Sequence, residues 1–200
     1  MKNKWWIAPI LAIGMAGCGS DSTEPDTPHE PVVLEVAVGT PTLVSSQVSF
    51  WAYYDRETRA QIVYHAFVSA TDSVTLVDFT VPAQSLSQLP DGSAISAGDS
   101  VLITMSVLNP LLLDVSFEPS GLRFSSANPA RLQLGFGNAD PDLNGDGTVD
   151  GDDAALVAKL HIWQQEDILS PWTELQSTVD VNAKVVSADI PGFTHYAVAY

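Results

Sequence analysis

The stretch DLNGDGTVDGDD, from Asp142 to Asp153, concentrates oxygen-bearing side chains in one short loop. Acidic or amide side chains occupy its relative positions 1, 3, 5, 9 and 12, and Gly147 lies at position 6. Calcium takes about six to eight hard oxygen ligands, from a loop that turns sharply enough to bring them together. The spacing therefore predicts a calcium site in an insertion that covers residues 138–159.

Six residues of this loop are the predicted calcium ligands, and each offers an oxygen atom. They are the side chains of Asp142, Asn144, Asp146, Asp150 (directly or through water) and Asp153, and the backbone carbonyl of Thr148. The alternative is a solvated acidic turn, which accounts for the composition but not for the order of the ligand types. Without a cation, the like charges of this loop would resist convergence.

The loop resembles an EF-hand, and Asp153 in place of a longer glutamate makes it similar to one repeat of a dockerin module. The AALVAKL that follows predicts a short helix over Asp153 to Leu160, with Leu156 and Leu160 on one face. Dockerins bind a cohesin through two packed repeats, with contacts from loop positions 10 and 11. This chain has one repeat, with Gly151 and Asp152 at those positions, so no cohesin partner is expected.

Alternating apolar residues predict that β-strands surround this loop. The predicted strand segments are VVLEVAVG (32–39), QVSFWAYY (47–54), QIVYHAFV (61–68), SVTLVDFTV (73–81), VLITMSVL (101–108), LLLDVSF (111–117), ARLQLGFG (130–137), KVVSADI (184–190) and FTHYAVAY (193–200). In LLLDVSF the residues on one face are Leu111, Leu113, Val115 and Phe117. Short strands separated by Gly/Pro turns predict an all-β fold, an antiparallel β-sandwich with the calcium loop inserted between two strands.

Residues 91–200 also resemble a known sandwich. The EPSGLRF turn with a strand on either side, a strand at Trp172 to Leu175, and the closing GFTHYAVAY carry this resemblance. The segment is similar to the ZU-five domain of ankyrins, zonula-occludens proteins and netrin receptors, in its bacterial lipoprotein-borne form. Residues 32–90 have strand patterns without a family resemblance, and they complete the sandwich or form a small sheet of their own.

Some relatives of that domain cleave themselves at a His-Phe-Ser sequence in the closing strands. The matching residues here are Gly192, Phe193 and Thr194, so glycine replaces the histidine that would activate the nucleophile. His195 follows Thr194, and strand alternation sends it to the opposite face. A hydroxyl without a base is a weak nucleophile, so self-cleavage is not expected.

The N-terminal sequence has the features of a bacterial export signal. Lys2 and Lys4 precede an apolar run that ends in small residues, which predicts a signal peptide over residues 1–17. The sequence Met-Ala-Gly-Cys that ends at Cys18 resembles a lipobox, which implies lipidation of Cys18 and a membrane anchor. The alternative is an ordinary secretory signal. The anchor predicts a location in the cell envelope. If the host is diderm, we expect the outer membrane, because the residue after Cys18 is Gly19 and not the aspartate that typically retains lipoproteins at the inner membrane.

Residues 18–31, rich in proline and acidic side chains, predict a disordered tether between the anchor and the domain at 32–200. Loss of Lys2 and Lys4 with the signal leaves 6 of the 8 basic residues against 24 acidic ones, a net charge of −18. Such a charge argues against a nucleic-acid partner. Cys18 is the single cysteine, so no disulfide forms within the chain.

No nucleophile with a base, general acid/base pair or zinc-ligand spacing is readable, so we predict that the protein is not an enzyme. The leading interpretation is a non-catalytic, calcium-stabilised envelope lipoprotein that acts as a structural or interaction module. The alternative is a carbohydrate- or protein-binding adhesin subunit. Its aromatic platform would comprise Trp51, Trp163 and Trp172, although tryptophans at strand positions more often serve packing.

Lipidation of Cys18 is directly testable in the producing cell. Growth with a labelled fatty acid should tag the wild-type protein, and Cys18→Ser should abolish the label and release the protein from membranes, because the acylated residue is gone. A wild-type chain that carries no label and is freely soluble would contradict the anchor.

Overall fold

A computed structural model describes residues 30–66, 74–167 and 169–200. The predicted signal peptide, Cys18 and the tether up to residue 29 lie outside the described residues. Within the described ranges, no helix has the length and apolar character needed to cross a bilayer.

The described residues form thirteen strands and one short helix, numbered in chain order. These are β1 (Gln47–Tyr53), β2 (Thr58–Val63), β3 (Thr75–Val81), β4 (Leu86–Gln88), β5 (Ser100–Val107), β6 (Asp114–Glu118), β7 (Arg123–Phe124), β8 (Ala130–Gly135), α1 (Gly151–Val157), β9 (His161–Gln165), β10 (Thr173–Glu174), β11 (Ser177–Asp180), β12 (Val185–Ile190) and β13 (His195–Ala199).

The strands form two antiparallel sheets that pack face to face, and the predicted all-β fold is confirmed. One sheet has the order β1-β5-β6-β13-β9-β10, and the other has the order β11-β12-β8-β3-β2. The short strands β4 and β7 pair separately. Strands from the 32–90 segment lie in both large sheets, with β1 at an edge of the first and β3 inside the second.

Aromatic rings join the two sheets at the centre of the core. The ring of Phe79 on β3 lies 5.0 Å from that of Phe117 on β6 and 5.6 Å from that of Phe193. Phe117 and Phe193 stack at 5.0 Å, and Tyr196 on β13 meets Phe117 edge-on at 5.8 Å. All four side chains are fully buried, so these aromatic contacts fix how one sheet sits on the other.

The outer face of the second sheet holds a partly buried ion pair. Asp78 on β3 accepts hydrogen bonds from Arg59, at 2.7 Å from its Nε, and from Gln61 at 2.8 Å. Burial would raise the pKa of Asp78, but the bonds from Arg59 and Gln61 outweigh it and lower that pKa. These hydrogen bonds offset the free-energy cost of removing the Asp78 carboxylate from water.

Three predicted strands differ from the structure. The predicted strand 61–68 begins earlier and ends earlier, as β2, and its residues 67 and 68 lie outside the described residues. The segment 32–39 forms isolated bridges, from Val33 to Ala199, Glu35 to Leu112 and Val36 to Ala139, rather than a continuous strand. The chain turns away at Gly39, whose φ of +88° is unfavourable for other residues. Leu111 is 67% exposed instead of facing the core, because it lies in the turn before β6.

Candidate metal centre

The acidic loop lies between β8 and α1, on the chain that links the two sheets. Two glycines in left-handed conformation turn it, Gly145 at φ +71° and Gly147 at φ +88°. These angles disfavour residues with a Cβ, so the glycines account for the sharp reversal that the spacing predicted. The helix predicted over Asp153 to Leu160 begins earlier and ends earlier, at Gly151 and Val157.

The first three predicted ligands meet around one backbone amide. Asp146 N donates to Asp142 Oδ1 at 3.1 Å and to Asn144 Oδ1 at 2.9 Å, so these two side-chain oxygens lie close together. Asp142 Oδ2 also accepts from Gly147 N at 2.8 Å. Asn144 Nδ2 also donates to Asp146 Oδ2 at 3.2 Å, so the side chains at the first three alternating positions of the loop lie close together.

The carboxylate of Asp146 is held by two hydrogen bonds from Thr148. Its Oδ1 accepts from Thr148 Oγ1 at 2.7 Å and from Thr148 N at 2.8 Å. These two bonds, that from the hydroxyl above all, lower the pKa of Asp146. The carboxylate is exposed and ionised at neutral pH, as a hard oxygen ligand must be.

Asp150 and Asp153 together start the helix. Asp150 is the N-cap, and its Oδ1 accepts from Asp152 N at 2.9 Å. Asp153 Oδ2 accepts from Asp150 N at 2.8 Å, which completes a reciprocal capping box. This arrangement explains why the helix begins at Gly151, before the predicted start.

Asp153 also fastens the beginning of the loop to its end. Its Oδ1 accepts from Leu143 N at 2.8 Å and from Asn144 N at 3.2 Å, so the carboxylate accepts three backbone N–H groups in all. The side chain is buried, with the residue 4% exposed. These bonds, that from Asp150 N above all, hold the pKa of Asp153 below its ordinary value.

The loop is attached to both ends of the described domain. Tyr200 Oη donates to Leu143 O at 2.5 Å, and Asp140 N donates to Glu35 O at 2.9 Å. Leu143 and Val157 pack against the core. The loop therefore touches the first and the last segment of the sandwich at the place where they pair, Val32 with Tyr200 and Leu34 with Val198.

The donor set suits calcium by its chemistry, since all six predicted ligands offer oxygen. Across the described parts of the chain, however, no three Asp, Glu, His or Cys side chains lie close enough together to hold a metal ion. The carboxylates of Asp146, Asp150 and Asp153 are instead directed to separate backbone N–H groups. Calcium binding therefore requires them to approach one another more closely than they do in this structure.

The three tryptophans are not exposed side by side. Trp51 on β1 is 52% exposed, whereas Trp163 on β9 is buried and Trp172 packs against the ring of His195 at 5.0 Å. Strands β5, β6 and β13 separate β1 from β9. Only Trp51 offers a broad exposed ring among these three, so they do not form one aromatic platform.

The closing strands have no room for a histidine at residue 192. A Cβ built there would lie 2.6 Å from the backbone oxygen of Leu122, so the close approach of the two chains requires glycine. Phe193 is buried among the core rings, and Thr194 Oγ1 lies 3.5 Å from the backbone oxygen of His195. Packing accounts for Gly192 and Phe193.

Comparisons with protein families, with curated proteins and with solved structures found no match for this chain.

The sequence did not predict the role of Asp153 as the acceptor that closes the loop on itself. The sequence does indicate that Asp153 helps to cap the helix. Asp150 and Asp153 are three residues apart ahead of an apolar run, which is the spacing of a capping box. The contacts to Leu143 N and Asn144 N carried no such local signal. They depend on how the loop folds back.

We expect Asp153→Asn to lower Tm and Asp152→Asn to leave it nearly unchanged, because Asp152 is exposed and lies one residue from the buried acceptor. The pKa of Asp153 is lower in the folded protein than in the unfolded chain, where it is about 3.9. The ionised carboxylate therefore stabilises the folded state fully at pH values above about 3.9. That contribution is lost as the pH falls through the lower folded-state value. The Tm difference between wild type and Asp153→Asn should thus shrink in acid. Equal Tm values for the two variants at pH 7 would rule out this role.

Proposed function

We propose that this protein is a non-catalytic, calcium-stabilised lipoprotein of the bacterial cell envelope. Its β-sandwich, ZU-five-like in residues 91–200, acts as a structural or interaction module held near a membrane by lipid on Cys18. The observation that carries the proposal is the acidic loop, whose ligand spacing suits calcium and whose backbone is bonded to both ends of the domain.

The residues that would hold calcium are Asp142, Asn144, Asp146, Thr148, Asp150 and Asp153. A bound calcium ion would supply positive charge that offsets the repulsion between the four carboxylates. The chain's own contribution is to keep these groups near one another, through the left-handed glycines and the bonds of Asp142 and Asn144 to Asp146 N. Since Leu143 in the loop accepts a hydrogen bond from Tyr200, a more rigid loop would also restrain Tyr200.

We propose this site as a structural staple, which is a metal site that stabilises the fold, and not as a sensor, which changes conformation when calcium binds. A calcium sensor opens a pair of helices, whereas α1 is a single short helix followed by β9. Extracellular calcium modules typically have dissociation constants of about 10⁻⁴–10⁻³ M, so environmental calcium suffices to fill them. Calcium at 100 times its dissociation constant stabilises a folded state by about 2.7 kcal/mol.

A second candidate function is an adhesin subunit that binds a protein or glycan partner. Trp51 supports this alternative, because it is half exposed on the edge strand β1 and lies opposite the exposed Leu102. An exposed aromatic side chain beside an apolar neighbour is typical of binding surfaces.

Thermal melts with calcium and with chelator test the staple. We expect calcium in excess to raise Tm by an amount equivalent to about 2.7 kcal/mol or less, and Asp146→Ala with Asp153→Ala to abolish this rise. The matched control is Asp152→Ala, which removes a carboxylate at a non-ligating position and should keep the calcium response.

The circular dichroism of the sheets should persist in the double variant, because the aromatic core does not depend on the loop. If calcium leaves the wild-type Tm unchanged at millimolar concentrations, the proposed metal centre is wrong. If the chain is wholly unfolded in chelator, calcium is needed for folding and the staple description is wrong.

A further inference from the structure

Two long stretches of this acidic chain contain no charged residue. Residues 36–54 and residues 100–113 lack Asp, Glu, Lys, Arg and His altogether. The structure places these stretches side by side, because β1 in the first pairs with β5 in the second over their whole lengths. Uncharged residues are therefore gathered at one edge of the sandwich.

Apolar side chains are exposed where these two stretches meet at one end of the fold. Val38 is fully exposed, and Val44, Leu108 and Leu111 are 56%, 55% and 67% exposed. Val36 N donates to Leu111 O at 2.9 Å, which holds the loop at 37–45 beside the turn at 108–112. We call Val38, Val44, Leu108 and Leu111 the apolar tip.

One side of the apolar tip is also free of charge, whereas on the other side Val38 lines a second cavity with Lys184 and with Asn138, Ala139 and Pro141 of the acidic loop. The shallow cavity between the loop and the turn is lined by residues 36–46, Tyr64, Pro110 and Leu111, none of which is charged. Of the ten large apolar side chains that are exposed in the described residues, six belong to the two uncharged stretches. Exposed apolar side chains that cluster beside an uncharged cavity are typical of a protein or membrane interaction site.

We propose that the apolar tip inserts into the interface of the bilayer that carries the lipid anchor, an inference that rests on the proposed lipidation of Cys18. Exposed valine and leucine gain from burial among acyl chains, and a protein with net charge −18 can approach an anionic surface best through an uncharged face. A bilayer therefore fits this tip better than it fits the acidic remainder of the surface.

The length of chain ahead of the domain allows this contact. Residues 19–30 can span at most about 40 Å, and the seven steps from Pro31 to Val38 cover at most about 25 Å. A tip on a chain this short stays within reach of the membrane that holds the anchor. One anchored point and one inserted tip would orient the sandwich relative to the membrane.

A label at a single thiol tests the insertion on the full-length lipoprotein. Lipid consumes the thiol of Cys18, the only cysteine of the chain, so Val38→Cys or Leu111→Cys introduces one free thiol for a fluorophore. The protein is placed in phosphatidylcholine vesicles whose acyl chains carry bromine, which quenches on contact. The control label is at Leu169→Cys, which is 91% exposed and far from both uncharged stretches in sequence.

We expect strong quenching of the labels at Val38→Cys and Leu111→Cys, and none of the label at Leu169→Cys. Adding Val44→Asp and Leu108→Asp to the Val38→Cys protein should abolish the quenching while the lipid keeps the protein on the vesicles. Unquenched labels on vesicle-bound protein would overturn the insertion and leave the anchor intact. If the labels are unquenched and the introduced thiols cross-link two protein molecules, the insertion is wrong and the apolar tip contacts a second copy of the chain. A free Cys18 thiol on protein that does not float with vesicles would overturn the anchor and the insertion together.

Discussion

The carboxylate of Asp153 determines the shape of the acidic loop. It accepts N–H groups from the beginning of the loop, at Leu143 and Asn144, and from its end, at Asp150. A single buried group thus closes the loop, caps the helix and places Leu143 where Tyr200 donates to it. Burying an ionised group is costly without such bonds, so the loop and the carboxylate stabilise each other.

The loop matters to the rest of the domain because of where it is attached. The first segment of the sandwich, Val32 to Val36, forms no continuous strand. Isolated bridges and backbone bonds join it to residues 198–200 and to residues 111–113. Asp140 N and Ala139 contact this segment from the loop side. The core rings around Phe79 hold the two sheets together, whereas the loop adds contacts where the first and last segments pair.

The sequence predicted the strands well where alternation was regular, as in β5, where Val101, Ile103 and Met105 are buried as expected. It failed at Leu111, because alternation continues there while the chain is already in a turn. The positions of the loop side chains followed from spacing, but the partners of Asp153 depend on a fold-back that no local pattern encodes. The close approach at Gly192 is likewise a tertiary constraint.

Amide hydrogen exchange with and without calcium tests most directly whether a metal-stabilised loop closes this domain. We expect calcium to slow exchange at Leu143, Asn144 and Asp150, whose N–H groups donate to Asp153. Exchange at Val32 and Tyr200, which pair beside the loop, should slow as well. Exchange in the core strands β3 and β6 should not change. Identical exchange of the loop amides in calcium and in chelator would contradict the account.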